Sequence, residues 1–116
     1  MLRTMLKSKI HRATVTEANL YYEGSITIDA DLIKAADMLE YEKVEVLNLN
    51  NGDRIETYVI KGEAGSGIIC LNGPAARGVC PGDQVIILSY ILAEDQLAGQ
   101  NKPKIIKVDG RNQIKN

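Results

Sequence analysis

Apolar and polar positions alternate with a period of two over most of this chain and follow a helical spacing in one short stretch, which predicts a mainly β protein. Residues 2–16 carry β-branched and small side chains with no helix cap and no turn pair, so they read as one extended strand with room for a bend in its middle. Alternation puts Lys7, Lys9 and His11 on one face and Ser8, Ile10 and Arg12 on the other. Residues 17–24 hold Asn19 and the adjacent Tyr21 and Tyr22, and read as an irregular connection whose rings pack over the end of the β-structure. A short strand resumes at 25–28. Asp29 then caps a helix over 30–39, with Ile28 and Ile33 at staple spacing and Leu32, Ile33, Ala36 and Leu39 as the apolar stripe that packs it outside the sheet.

The second half repeats strands and turns. Runs 44–49 and 54–60 flank Asn50-Asn51-Gly52-Asp53, a strong hairpin signal, with Arg54 and Tyr58 on one face and Thr57 on the other or at a bulge. Residues 61–67 read as a flexible loop and 68–71 as a short strand, followed by a sharp turn at Asn72-Gly73-Pro74-Ala75-Ala76. Pro81-Gly82-Asp83 precedes a strand over 84–92, whose Val85-Ile86-Ile87-Leu88 run reads as buried on both faces. Gly52-Asp53-Arg54-Ile55 and Gly82-Asp83-Gln84-Val85 form a weak internal echo, each placing Gly-Asp just before a strand. After Ala93 the chain turns polar. Residues 104–108 read as a last strand, and the tail from Asp109 as disordered or peripheral.

Composition narrows the picture. A chain of 116 residues reads as one domain, spanning 1–116, and is long enough to bury a real core. Hydrophobic residues make up 45% but aromatics only 4%, without Trp or Phe, so the core must be Ile, Leu, Val and Ala, which suits close-packed β-structure. A net charge of -1 and a pI near 5.8 argue against a nucleic-acid binder, whose affinity rests on excess Lys and Arg. No apolar run approaches the roughly 20 residues that span a bilayer, and charges stand where a signal peptide needs an apolar stretch. The expected location is the cytoplasm, with no membrane partner and with Cys70 and Cys80 reduced. One His and no CxxC pair offer no credible metal site.

The chemistry centres on Gly24-Ser25. A glycine before a serine places an unshielded carbonyl beside a hydroxyl, and in a bent backbone the Ser25 oxygen reaches the Gly24 carbonyl carbon, the geometry of an N-to-O acyl shift. Gly24 tolerates angles that a Cβ forbids, and strain held there would lower the barrier. The pair is by itself an ordinary turn. Its company is not ordinary: the basic run Leu6-Lys7-Ser8-Lys9-Ile10-His11-Arg12, then Tyr21-Tyr22-Glu23-Gly24-Ser25, then Asn51-Gly52-Asp53-Arg54-Ile55-Glu56-Thr57-Tyr58, then Asn72-Gly73-Pro74-Ala75-Ala76.

In order and spacing these stretches resemble the pyruvoyl-dependent aspartate decarboxylase family, from Met1 to about Leu92. The resemblance implies a six-stranded double-psi β-barrel with one or two short helices, in which Gly-Asp turns recur. It implies self-cleavage between Gly24 and Ser25 and a covalent pyruvoyl cofactor derived from Ser25. The activity implied is decarboxylation of L-aspartate to β-alanine and CO2, supplying pantothenate and coenzyme A biosynthesis, in a homotetramer with sites between subunits. Charge alone implies only an anionic ligand.

Carried over residue by residue, Ser25 becomes the cofactor and Tyr58 the proton donor, a phenol protonated at neutral pH in its ordinary state. The Thr57 hydroxyl is the candidate donor to the oxyanion that forms on Gly24, with Asn72 as orienting amide. Arg54 and Lys9 grip carboxylate, and Thr57, Gly73, Pro74 and Ala75 contact substrate. Tyr22 and His11 are supporting residues. One departure is Leu47, where family members often carry an aromatic residue. Two other readings stand beside this one: a non-catalytic β-barrel module binding an anionic partner through Lys7, Lys9 and Arg12, and an uncleaved, inactive homologue.

Overall fold

Aliphatic alternation dictates the architecture. The computed structural model describes Met1–Asn116. It contains strands β1 (Leu2–Thr14), β2 (Glu17–Asn19), β3 (Ser25–Asp29), β4 (Lys43–Asn48), β5 (Arg54–Gly62), β6 (Ile69–Asn72), β7 (Gln84–Glu94) and β8 (Lys104–Lys107). The helices are α1 (Ala30–Ala35), a 3₁₀ turn over Gly73–Gly78, and α2 (Asp95–Ala98). There are thus eight strands where six were expected, and three helical pieces rather than one or two. The stretch holding β2 was expected to be irregular and is too short to show a period in sequence, whereas β8 falls on the strand read at 104–108.

The strand order is β2-β6-β3-β5-β4-β7-β1-β8. β3 runs parallel to β5, and the outermost strands β2 and β8 run parallel to β6 and β1; the other neighbours are antiparallel. The Thr16 N–H donates to the Ile69 carbonyl at 2.8 Å, and the Thr16 hydroxyl bonds the same residue. That link joins the chain leaving β1 to β6 and draws the two sides of the strand series together. The inner side chains are aliphatic, among them Ile10, Ile26, Ile28, Val44, Val46, Val59, Leu71, Val85 and Ile87, with Met38 joining them. No helix is long and apolar enough to cross a membrane.

The bend in the first strand is a pair of register shifts against β7, between Leu6 and Ser8 and between Ile10 and Ala13. Ser8 and Ile10 point inward and are fully buried, while Lys7, Lys9 and His11 are half-buried on the opposite face. Alternation fails at Arg12. The second bulge gives it φ +62°, leaves it exposed, and hands the inward position to Ala13. In the Asn50–Asp53 turn, Gly52 N–H donates to Asn48 O at 2.8 Å, and Leu47 faces Arg54 across the ladder. Gly52 and Gly82 both adopt left-handed φ, at +78° and +96°, so the Gly-Asp echo is one of conformation as well as of sequence.

Four local expectations change. Helix α1 stops at Ala35, not residue 39, because Asp37 turns left-handed at φ 56°. Asp37 N–H then reaches Lys34 O and Met38 N–H reaches Ile33 O, a Schellman closure made without glycine. The loop expected to be flexible is tied to the buried Asp29 carboxylate, which accepts from Gly65, Gly67 and Asp31 N–H groups. On β7 only Val85, Ile87 and Ser89 are buried, with Ile86 and Leu88 half-exposed on the other face. The tail is not peripheral: Asn112 is buried, bonds both backbone groups of Thr14 and also Gly67 O, and Val108 bridges to Ile114.

Candidate active site

Two short strands build the centre of the site. In the antiparallel ladder of β3 and β6, Ser25 faces Asn72 and Thr27 faces Cys70. A period of two sends these four residues to one face, while Ile26, Ile28, Ile69 and Leu71 go into the core. Asn72 is 3% exposed and places its Nδ2 2.9 Å from Ser25 Oγ and 3.0 Å from Thr27 Oγ1, donating to both. Its Oδ1 accepts from the Cys70 thiol at 3.2 Å. Ser25 is 1% exposed, and its hydroxyl lies 3.5 Å from Glu23 O. The buried serine is thus held by a side-chain amide.

Gly24 borders a cleft of about 380 Å³, with Ile55, Glu56, Thr57, Tyr58, Pro74 and Ala75 as the other walls. The expected strain at Gly24 is not found: its φ lies outside the left-handed region, and a Cβ there would meet only Pro74 Cδ at 3.7 Å. The special conformation belongs to Gly73, at φ +64°. A Cβ on Gly73 would lie 2.9 Å from Gly24 N, Gly24 Cα and Tyr22 O. The turn after β6 therefore presses directly on the Gly24 backbone, and only glycine permits that approach.

The structure brings together Gly24, Thr57, Tyr58, Pro74 and Ala75 around the cleft, backed by Ser25, Asn72 and Gly73. It does not bring Lys9, His11, Arg54 or Tyr22 to the walls of that cleft. Arg54 pairs with Glu45 at 3.0 Å, and Glu45 also accepts from the Tyr90 hydroxyl at 2.6 Å. The bond from Tyr90, with the Arg54 charge beside it, holds the Glu45 carboxyl below the usual range, and the same bond to Glu45, together with burial, raises the Tyr90 phenol against the opposing Arg54 charge. His11 sits on β1 opposite Lys107 of β8 with its Nδ1 buried and unpartnered. Burial lowers its pKa, and the charges of Lys9, Arg12 and Lys107 lower it further. Tyr21 and Tyr22 do not cover the barrel end; they stand 97% and 55% exposed.

Sequence reading missed Thr27 and Cys70, whose signal was their spacing of two from Ser25 and Asn72. It also missed Ile55 and Glu56 as cleft walls. Of the basic contact patch, Lys7 is committed to Glu42 and to Asp37 O, and Arg12 to Gln84. Those bonds leave Lys9 alone of the three without a side-chain partner, which removes the support for an anion-binding module.

The architecture resembles the rationally designed mkDPBB_sym_86 protein, with a TM-score of 0.50 and 18% identity over 70% of this chain and 94% of that one. Fold and site define the class: a double-psi β-barrel protein with a buried serine directly after a glycine at the edge of a cleft. The profile of the aspartate decarboxylase family matches residues 1–115. Similar proteins include the aspartate 1-decarboxylase of Pelotomaculum thermopropionicum, 64% identical over 114 residues, covering 98% of this chain and 86% of that one. The enzymes of the same name from Bacillus cytotoxicus and Acetivibrio thermocellus are each 62% identical, over 98% and 100% of this chain and 90% and 92% of theirs. The chain belongs to the aspartate decarboxylase family, and is a carboxy-lyase.

Proposed function

We propose that this chain cuts itself between Gly24 and Ser25, converts Ser25 to a pyruvoyl group, and then decarboxylates L-aspartate to β-alanine and CO2 for pantothenate biosynthesis. The observation that carries the reading is the buried Ser25 hydroxyl held by Asn72 beside a Gly24 that borders the cleft. Ser25 Oγ bonds to the Gly24 carbonyl carbon, the Gly24–Ser25 C–N bond breaks, and the hydroxyl proton ends on the freed amine. Loss of the Ser25 Cα hydrogen then expels Oγ as the Gly24 carboxylate. The dehydroalanine left behind takes up water and releases ammonia, giving the ketone. The Asn72 Nδ2 donates to the oxygen that first attacks and later leaves, so it stabilises the charge that grows there. Thr57, on the wall beside Gly24, is the donor for the oxyanion on the Gly24 carbonyl.

The residues present fit such a group, since Ser25 is buried against the Asn72 amide next to a Gly24 that borders the cleft. A ketone there supplies an electron sink for an amino-acid substrate. Tyr58 projects at the cleft wall as the proton donor, and the turn Gly73-Pro74-Ala75 offers backbone groups and shape to the substrate. Lys9 and Arg54 recognise its carboxylates from outside this cleft, which is the arrangement expected if a second copy completes the site. A homotetramer with sites between subunits meets that need and covers Tyr22 and Tyr58, which are 55% and 36% exposed on the single chain. Arg54 must then exchange Glu45 for the substrate.

Ser25→Ala tests the reading. The variant is expected to fold, to stay one chain and to release no CO2 from aspartate; decarboxylation by it would refute the cofactor assignment.

A further inference from the structure

We propose that Cys70 is a positioning residue for self-cleavage, its thiol fixing which way round the Asn72 amide faces Ser25. The inference rests on the proposed cut between Gly24 and Ser25. An asparagine side chain can present either end to its neighbours, and the two ends have opposite hydrogen-bonding character. With Nδ2 toward Ser25 and Thr27, the amide donates at 2.9 and 3.0 Å and uses both its hydrogens. The serine hydrogen is then left for Glu23 O, and one lone pair on Oγ remains for the Gly24 carbon. Turned round, the amide would present an acceptor and draw the Ser25 hydrogen to itself. The carbonyl end would no longer stabilise Oγ as it departs.

Cys70 breaks that symmetry. Its Sγ lies 3.2 Å from Asn72 Oδ1 and 3.9 Å from Leu71 O, so Oδ1 is the nearer acceptor for the single S–H hydrogen. A sulfur is a poor acceptor for an NH2 group, so the reversed amide would lose a bond at this end. The residue is 4% exposed. Burial raises the thiol pKa, and the charge of Glu17 across the β2–β6 ladder and a hydrogen bond to its carboxylate raise it further. The hydrogen therefore stays on sulfur at neutral pH, with Glu17 as the rival acceptor to Asn72 Oδ1. A buried free cysteine is ordinarily a small apolar filler, and in that role volume alone would matter at this position.

The test compares freshly folded Cys70→Ser, Cys70→Ala and Cys70→Val with the native chain, following the uncut fraction over time by denaturing mass spectrometry and the fold by circular dichroism. Serine keeps the donor and should convert within about threefold of the native rate; alanine and valine should be about tenfold slower, the scale of one buried hydrogen bond. Equal rates in all four proteins, or a serine variant as slow as valine, would overturn the proposal. Alanine keeps the comparison open if valine fails to fold. A native chain that never converts would instead defeat the reading on which this rests.

Discussion

Gly73 carries more of the site than its lack of a side chain suggests. Its left-handed φ of +64° costs any other residue about 1–2 kcal/mol, and a Cβ would also lie 2.9 Å from three backbone atoms of Tyr22 and Gly24. Those atoms are backbone, so they cannot swing aside as a side chain would. Gly73→Ala is therefore expected to leave the barrel folded but displace the 22–24 segment, and its uncut fraction should persist through the time in which the native chain converts. Conversion at the native rate would contradict this. At this scale the sequence was partly legible. Gly24 and Ser25 announce themselves by adjacency, and Asn72 and Gly73 by a turn signature. The pairing of Arg54 with Glu45 and the Cys70–Asn72–Ser25 chain depend on cross-strand register, which no local pattern encodes.

At the scale of elements, β1 makes the informative seam. Its two bulges let one strand carry a buried face and then turn Arg12 outward, and its parallel pairing with β8 sets His11 among Lys9, Arg12 and Lys107. With its pKa held below 6.5, native His11 stays neutral where an unfolded His11 takes a proton. Protons bound only by the unfolded chain lower stability as pH falls. The contribution is thus full above 6.5 and lost on acidification through that value. Urea unfolding at pH 7 and at pH 5.5 should show the native protein losing more stability on acidification than His11→Gln; equal losses would show that another group governs this window. Strands were legible even in the runs of four or five residues at 25–28, 68–71 and 104–108. β2 was not, and the end of α1 was hidden because Asp37, not glycine, takes the left-handed position.

At the scale of the whole molecule, an aliphatic core with no aromatic member closes a barrel, and all five tyrosines are left at the surface. The interior needs no ring to fill it, and at the surface Tyr41 and Tyr58 lie 6.4 Å apart, ring to ring. The fold class was legible from composition and alternation. The order of the tail was not, because it hangs on one buried residue, Asn112, whose partners Thr14 and Gly67 are far away in sequence. The central claim is that this barrel exists to break one of its own peptide bonds. Intact mass of the purified native protein under denaturing conditions, with and without hydroxylamine, tests it most directly. The account predicts two fragments, 1–24 and 25–116, with an oxime only on the second. A single unbroken chain without a hydroxylamine adduct, under every condition tried, would contradict it.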